Sequence, residues 1–115
     1  MISRKHRFHG YGSLNYTYKN GKTVRGPLCA LKYTGNPRRK SYRLSVVVNK
    51  KVNKSAVVRN RIRRRLYENV RLLDSKISEP YDMVMTVFSD KILDLSSEEL
   101  NRLTYSQLLQ AGIIS

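Results

Sequence analysis

The sequence predicts an α+β fold, a single-domain α/β sandwich with elements in the order α-β-β-β-α-β-α and a four-stranded sheet. Three observations lead there. A chain of 115 residues can bury a core of its own without disulfides or structural metal. Short, β-branched apolar runs between residues 22 and 50, and again from Tyr81 to Phe88, read as strands. Between about Ser55 and Ile77, and from Ser96 to Gly112, apolar residues instead recur three or four apart, which is the period of a helix buried on one side.

Taken in order, the Gly-punctuated "RFHGYGSLNYTYKNG" predicts a short helix from about Ser13 to Lys19, with Ser13 as N-cap and Gly21 as the stop. Leu14 and Tyr18, four apart, share one of its faces, and spacing alone lets that face simply pack on the domain. "KTVRG" and "LCALKYTG" follow as strands broken at Gly26-Pro27. "GNPRRK" is a polar turn, and "SYRLSVVVNK" a strand that becomes fully apolar at Val46 to Val48. The simplest assembly of these three is an antiparallel sheet.

The next segment carries one apolar stripe, Val58, Ile62, Leu66, Asn69 or Val70, Leu73 and Ile77, down a helix. At 100° per residue, Asn60, Arg64, Tyr67 and Arg71 fall near the opposite pole, with Arg59, Arg61, Arg63 and Arg65 on the flanks. "YDMVMTVF" is a strand, apolar except for Asp82 and Thr86, and "SDKILDL" a loop. The last helix opens on a capping box, Ser96 with Glu99 three residues on, and stops near Gly112.

Charge narrows the function. The formal net charge is +15, and residues 1 to 65 contain no Asp or Glu, so all eight acidic residues lie in the second part of the chain. A polyanionic partner follows, and nucleic acid fits better than an anionic membrane because the arginines fan around the helix rather than facing a bulky apolar half. No apolar run is long enough for a membrane span, and "MISRKHRFHG" lacks the apolar centre of a secretory signal, so the expected location is cytoplasmic. Cys29 is alone in an apolar run and reads as a buried hydrophobe.

Nuclease chemistry within the protein is not expected. The basic part has no carboxylate to hold a metal or move a proton. His6 and His9 read as exposed or RNA-touching side chains, and Asp90 and Asp94 as solvated or capping groups. By contrast, "VVRNRIRRRLYE" places like charges at i,i+3 and i,i+4, each pair mildly destabilising without an external counterion. Guanidinium forks suit phosphate, Asn60 adds a directional donor and acceptor, and Lys50, Lys51 and Lys54 bring further charge to the N-terminus of the same helix. Charge alone leaves RNA and DNA both open.

The run "LSVVVNKKVNKSAVVRNRIRRRLYE" resembles the signature of the bacterial ribonuclease P protein component: a strand ending in a Lys pair, a short loop, then an Arg-Asn-Arg helix. The likeness extends to the element order of the whole chain and is most specific over residues 44 to 68. It implies a left-handed strand-helix-strand crossover from Val46 to Met85, against the usual hand. It implies the protein subunit of a ribonucleoprotein that cuts the 5′ leader from precursor tRNA, one protein per RNA, with catalysis and Mg2+ belonging to the RNA subunit. Arg59, Asn60, Arg61 and Arg64 match the RNA-subunit contacts, with Lys50, Lys51, Lys54, Arg63 and Arg65 beside them. The leader-binding cleft maps to Leu14 and Tyr18, facing Lys32 or Tyr33, a stacking platform for single-stranded RNA. Two departures are Leu14, where the family usually has Phe, and Asn49 before the Lys pair, where a small residue or Ser is usual. The alternatives are a ribosomal or other structural RNA-binding protein, or a DNA-binding protein using the Arg-rich helix.

Overall fold

The computed structural model describes residues 11–115, with side chains from Leu14 onward; His6, His9 and the side chain of Ser13 lie outside the described residues. The order is α1 (Tyr11–Asn20), β1 (Lys22–Arg25), β2 (Cys29–Gly35), β3 (Arg43–Val47), α2 (Ala56–Arg71), β4 (Tyr81–Val87) and α3 (Ser97–Gln110). Short 3-10 turns stand at Asp74–Lys76 and Asp90–Asp94, the latter inside the expected "SDKILDL" loop. The α1 helix starts at Tyr11, two residues before Ser13, so Ser13 lies inside the helix and is not its cap.

The sheet is mixed, in the order β1-β2-β4-β3. The simple antiparallel sheet of the first three strands is therefore not what forms: β4 inserts between β2 and β3, antiparallel to the first and parallel to the second. Val46 and Met85 are direct register partners in the parallel pair. A polar stretch such as "GNPRRK" looks like a hairpin turn locally, but the apolar β4 gains more as an interior strand covered on both faces.

Strand alternation gives the sheet two different faces. One carries Cys29, Leu31, Leu44, Val46, Met83, Met85 and Val87, which form the main core with Ile62, Leu66 and Val70 of α2 and Leu100 and Leu108 of α3. The other carries Ala30, Lys32 and Thr34, Arg43, Ser45 and Val47, and Asp82, Val84 and Thr86. Part of it is covered by α1, whose Thr17 is fully buried, as is Val84.

The apolar stripe of α2 lies where the period puts it, with Ile62, Leu66 and Val70 fully buried. Tyr67 is a correction. It is half-buried against the core, and its hydroxyl accepts the Val46 N–H at 3.1 Å, covering a backbone group on the outer edge of β3. The helix also ends sooner than expected: after Arg71 the ladder tightens, Leu73 N–H bonding Val70 C=O, and the 3-10 turn brings Ile77 back to the core. The α3 capping box forms in both directions, and Gly112 takes a φ of +77° just beyond the helix, a left-handed position that suits glycine.

Candidate RNA-binding interface

Ser55 caps α2, its hydroxyl accepting the Val58 N–H. The loop before it is organised by asparagines: Asn49 Oδ1 accepts Lys51 N–H and Asn53 Oδ1 accepts Ser55 N–H, each at 2.9 Å. The unexpected Asn49 therefore sets the turn that carries the Lys pair. Asn53 Nδ2 also donates to Asp90 at 3.0 Å, tying this loop to the turn after β4. Lys50, Lys51 and Lys54 stand exposed on it.

The five arginines do not all behave as free charges. Arg59 is half-buried, and its Nη1 donates to the carbonyls of Asn53 and Lys54, both at 2.9 Å. Arg65 is turned toward the turn after β4 and donates to Ile92 and Leu95 carbonyls at 2.8 and 2.9 Å. Arg63 donates to Asn60 one turn away. Arg61 and Arg64 are exposed, and their guanidinium groups have no hydrogen-bond or ion-pair partner among the described residues. The five arginines that the helical period places off the apolar stripe are thus not equivalent. Arg61 and Arg64 are the free forks, Arg59 stiffens the lysine loop, and Arg65 fastens the helix.

On the α1 side, Lys32 projects from the face that α1 covers. Its Nζ donates to the Tyr18 carbonyl at 2.7 Å and lies 5.7 Å from the Tyr18 ring centre, so the cation both closes the last turn of α1 and sits by the ring. Leu14 is half-buried and Tyr18 partly exposed. Tyr33 points the opposite way, packed on the core side with its ring edge-on to Tyr81 at 6.2 Å. Adjacent strand residues cannot share a face, so Lys32 rather than Tyr33 faces α1.

Among the described residues no three His, Cys, Asp or Glu side chains come together to hold a metal ion. No described helix is long and apolar enough to cross a membrane.

A model of the ribonuclease P family matches residues 2–111. The chain belongs to the ribonuclease P protein family. The ribonuclease P protein component of Roseiflexus castenholzii is 36% identical over 96 residues, covering 84% of this chain and 77% of the relative. That of Prochlorococcus marinus aligns over 124 residues at 29% identity, covering 97% and 98%. The RNase P protein of Staphylococcus aureus matches the fold with a TM-score of 0.83 at 23% identity, over 96% of this chain and 98% of that one. For the Thermotoga maritima protein the score is 0.80 at 20% identity, over 90% and 96%.

In this ribonuclease P family member, several polar groups outside the expected site carry little sequence signal. Arg43 and Asp82 pair across β3 and β4 while almost wholly buried, and Asn36 donates to the same carboxylate at 2.9 Å. Asp82 stood out only as a break in an apolar strand. Asp90 reads from sequence as a solvated or capping group, and its bond to Asn53 was hidden because the two are 37 residues apart.

Proposed function

We propose that this chain is the protein subunit of a ribonuclease P ribonucleoprotein, binding the catalytic RNA and the 5′ leader of precursor tRNA to promote endonucleolytic 5′ maturation of tRNA. The observation that carries this is the exposure of Arg61 and Arg64, without a counterion among the described residues, on a helix that matches the family's Arg-Asn-Arg motif. Two free guanidinium forks on a rigid helix are prepared to meet phosphates bidentately. Lys50, Lys51 and Lys54, on a loop held by Asn49, Asn53 and Arg59, add point charges beside them.

The leader is assigned to the groove beside α1, where Leu14 offers an apolar contact, Tyr18 a ring and Lys32 a cation. Leu14 can pack against a base but cannot stack on it, so stacking there falls to Tyr18. Mg2+ and the cleavage step are assigned to the RNA subunit. The protein contributes by screening repulsion between two RNAs, which matters most at low salt. Such work places it in the cytoplasm, one protein per RNA.

Reconstitution with a bacterial ribonuclease P RNA tests the reading. The protein should restore 5′ processing of precursor tRNA at low magnesium, where the RNA alone is slow. No rescue would remove the subunit role, and cleavage by the purified RNA-free protein would overturn the division of labour.

A further inference from the structure

Positions two apart on a helix point about 200° apart, so Tyr16 opens onto the flank of α1 away from Tyr18. There the end of the sheet is hollowed into a depression of about 380 Å3, walled by Tyr16, Thr34, Gly35, Asn36, Arg38 and Asp82. Tyr16 is 58% exposed, a large ring held at the surface with little of the burial that usually explains an aromatic residue. Gly35 contributes bare backbone to the wall, and a side chain built there would meet nothing within 4 Å.

The depression is firmly built. Asn36 donates its N–H to the Pro80 carbonyl at 2.7 Å and its amide to Asp82 at 2.9 Å, while its Oδ1 accepts the Arg38 N–H at 3.3 Å. Asp82 is engaged by Arg43 through both oxygens, so its charge is balanced from within the protein. Arg38, Arg39 and Lys40 are exposed at and beyond the rim, and their side-chain cations have no hydrogen-bond or ion-pair partner among the described residues. A surface ring beside guanidinium groups that have no partner among the described residues, with the carboxylate in its wall already neutralised, fits a base joined to phosphates.

We infer that this depression is a second nucleotide subsite, in which an unpaired base of the 5′ leader lies on the Tyr16 ring and its flanking phosphates meet Arg38 and Arg39. It rests on the proposed leader role and extends it past the Tyr18 side of α1. The leader is the source because Thr34 stands two residues from Lys32 on the same face of β2, with Asp82 as its register partner, so the depression adjoins the groove assigned to the leader. Since Asp82 and Asn36 are already bonded to each other, the subsite grips any base and reads its edge little.

The holoenzyme, reconstituted with its RNA, is titrated with precursor tRNAs of graded leader length. Tyr16→Ala and Arg38→Ala should each weaken binding of the long-leader precursor by about tenfold, within the range known for loss of one stacked base. Tyr16→Phe should keep it, and the short-leader precursor and the RNA subunit should bind as before. A loss that is the same for every leader length, or no loss in either alanine variant, overturns the subsite. If the wild-type holoenzyme itself binds all leader lengths alike, the leader role fails and the subsite with it. If the wild type discriminates and the variants discriminate equally, only the subsite fails.

Discussion

Arg43 and Asp82, register partners on neighbouring strands, are joined by two parallel hydrogen bonds of 2.8 Å, from Nε to one carboxylate oxygen and from Nη2 to the other. Their side chains are only 8% and 5% exposed. Both charges are thus held out of water, and each depends on the other. Asp82→Ala should lower stability by about 3–5 kcal/mol, because the guanidinium stays buried without its carboxylate. Replacing both residues by apolar ones of similar size should cost far less than the single change, which urea unfolding of the two variants beside the wild type would show.

The arginines of α2 should separate into two groups by experiment. Arg61→Ala with Arg64→Ala should leave thermal unfolding unchanged, while weakening RNA binding and flattening its salt dependence by up to about one unit of log–log slope per lost phosphate contact. Arg65→Ala should do the reverse first, lowering the melting temperature through loss of two charge-assisted hydrogen bonds that hold the turn at Ile92 and Leu95, each worth about 1.5–3 kcal/mol. Filter binding across a salt series, paired with melting curves, distinguishes them.

Cys29 should be a silent thiol. Burial pushes its pKa up to about 11, partly opposed by the side-chain contact with Gln107. In the native protein at pH 8, labelling by iodoacetamide should therefore be negligible, and in denaturant fast. The sign for stability follows: the thiol is neutral in both states below its ordinary value near 9, and above it the unfolded chain ionises first. This contribution is thus lost as pH rises from about 9 toward 11.

Ser96→Ala should cost about 1 kcal/mol. It removes the hydroxyl that accepts the Glu99 N–H at 3.1 Å and leaves one side of the capping box. Thermal melting should register the loss with RNA binding unchanged.

The core stripe of α2 and the cap of α3 were legible because a turn of helix is a local object, whereas the Ser13 cap and the far end of α2 were not. The stripe from Ile62 to Val70 and the Ser96–Glu99 box are written within a few residues of each other. Strand order was not legible, since nothing in "GNPRRK" says that β3 will pair with a strand some forty residues later. The azimuth of each arginine on α2 was readable, but not what waits on the flank. Arg59 and Arg65 meet carbonyls supplied by neighbouring loops, and only the fold reveals them. Tyr67 misled for the same reason, as the edge of β3 comes round to its hydroxyl. Tyr16 had no pattern to announce it beyond its neighbour Tyr18.

The strand order also sets a schedule for the growing chain. Among the described strands β3 pairs only with β4, which is made later than every basic residue of the Arg-rich helix. Until residues 81–87 leave the ribosome, β3 has no partner strand, and the arginine helix lacks the completed sheet it rests on. Nascent chains stalled before β4 should stay protease-sensitive, and those extended through α3 should become resistant. Throughout that interval the most cationic part of the molecule should stand beside ribosomal RNA without the sheet that its helix packs on.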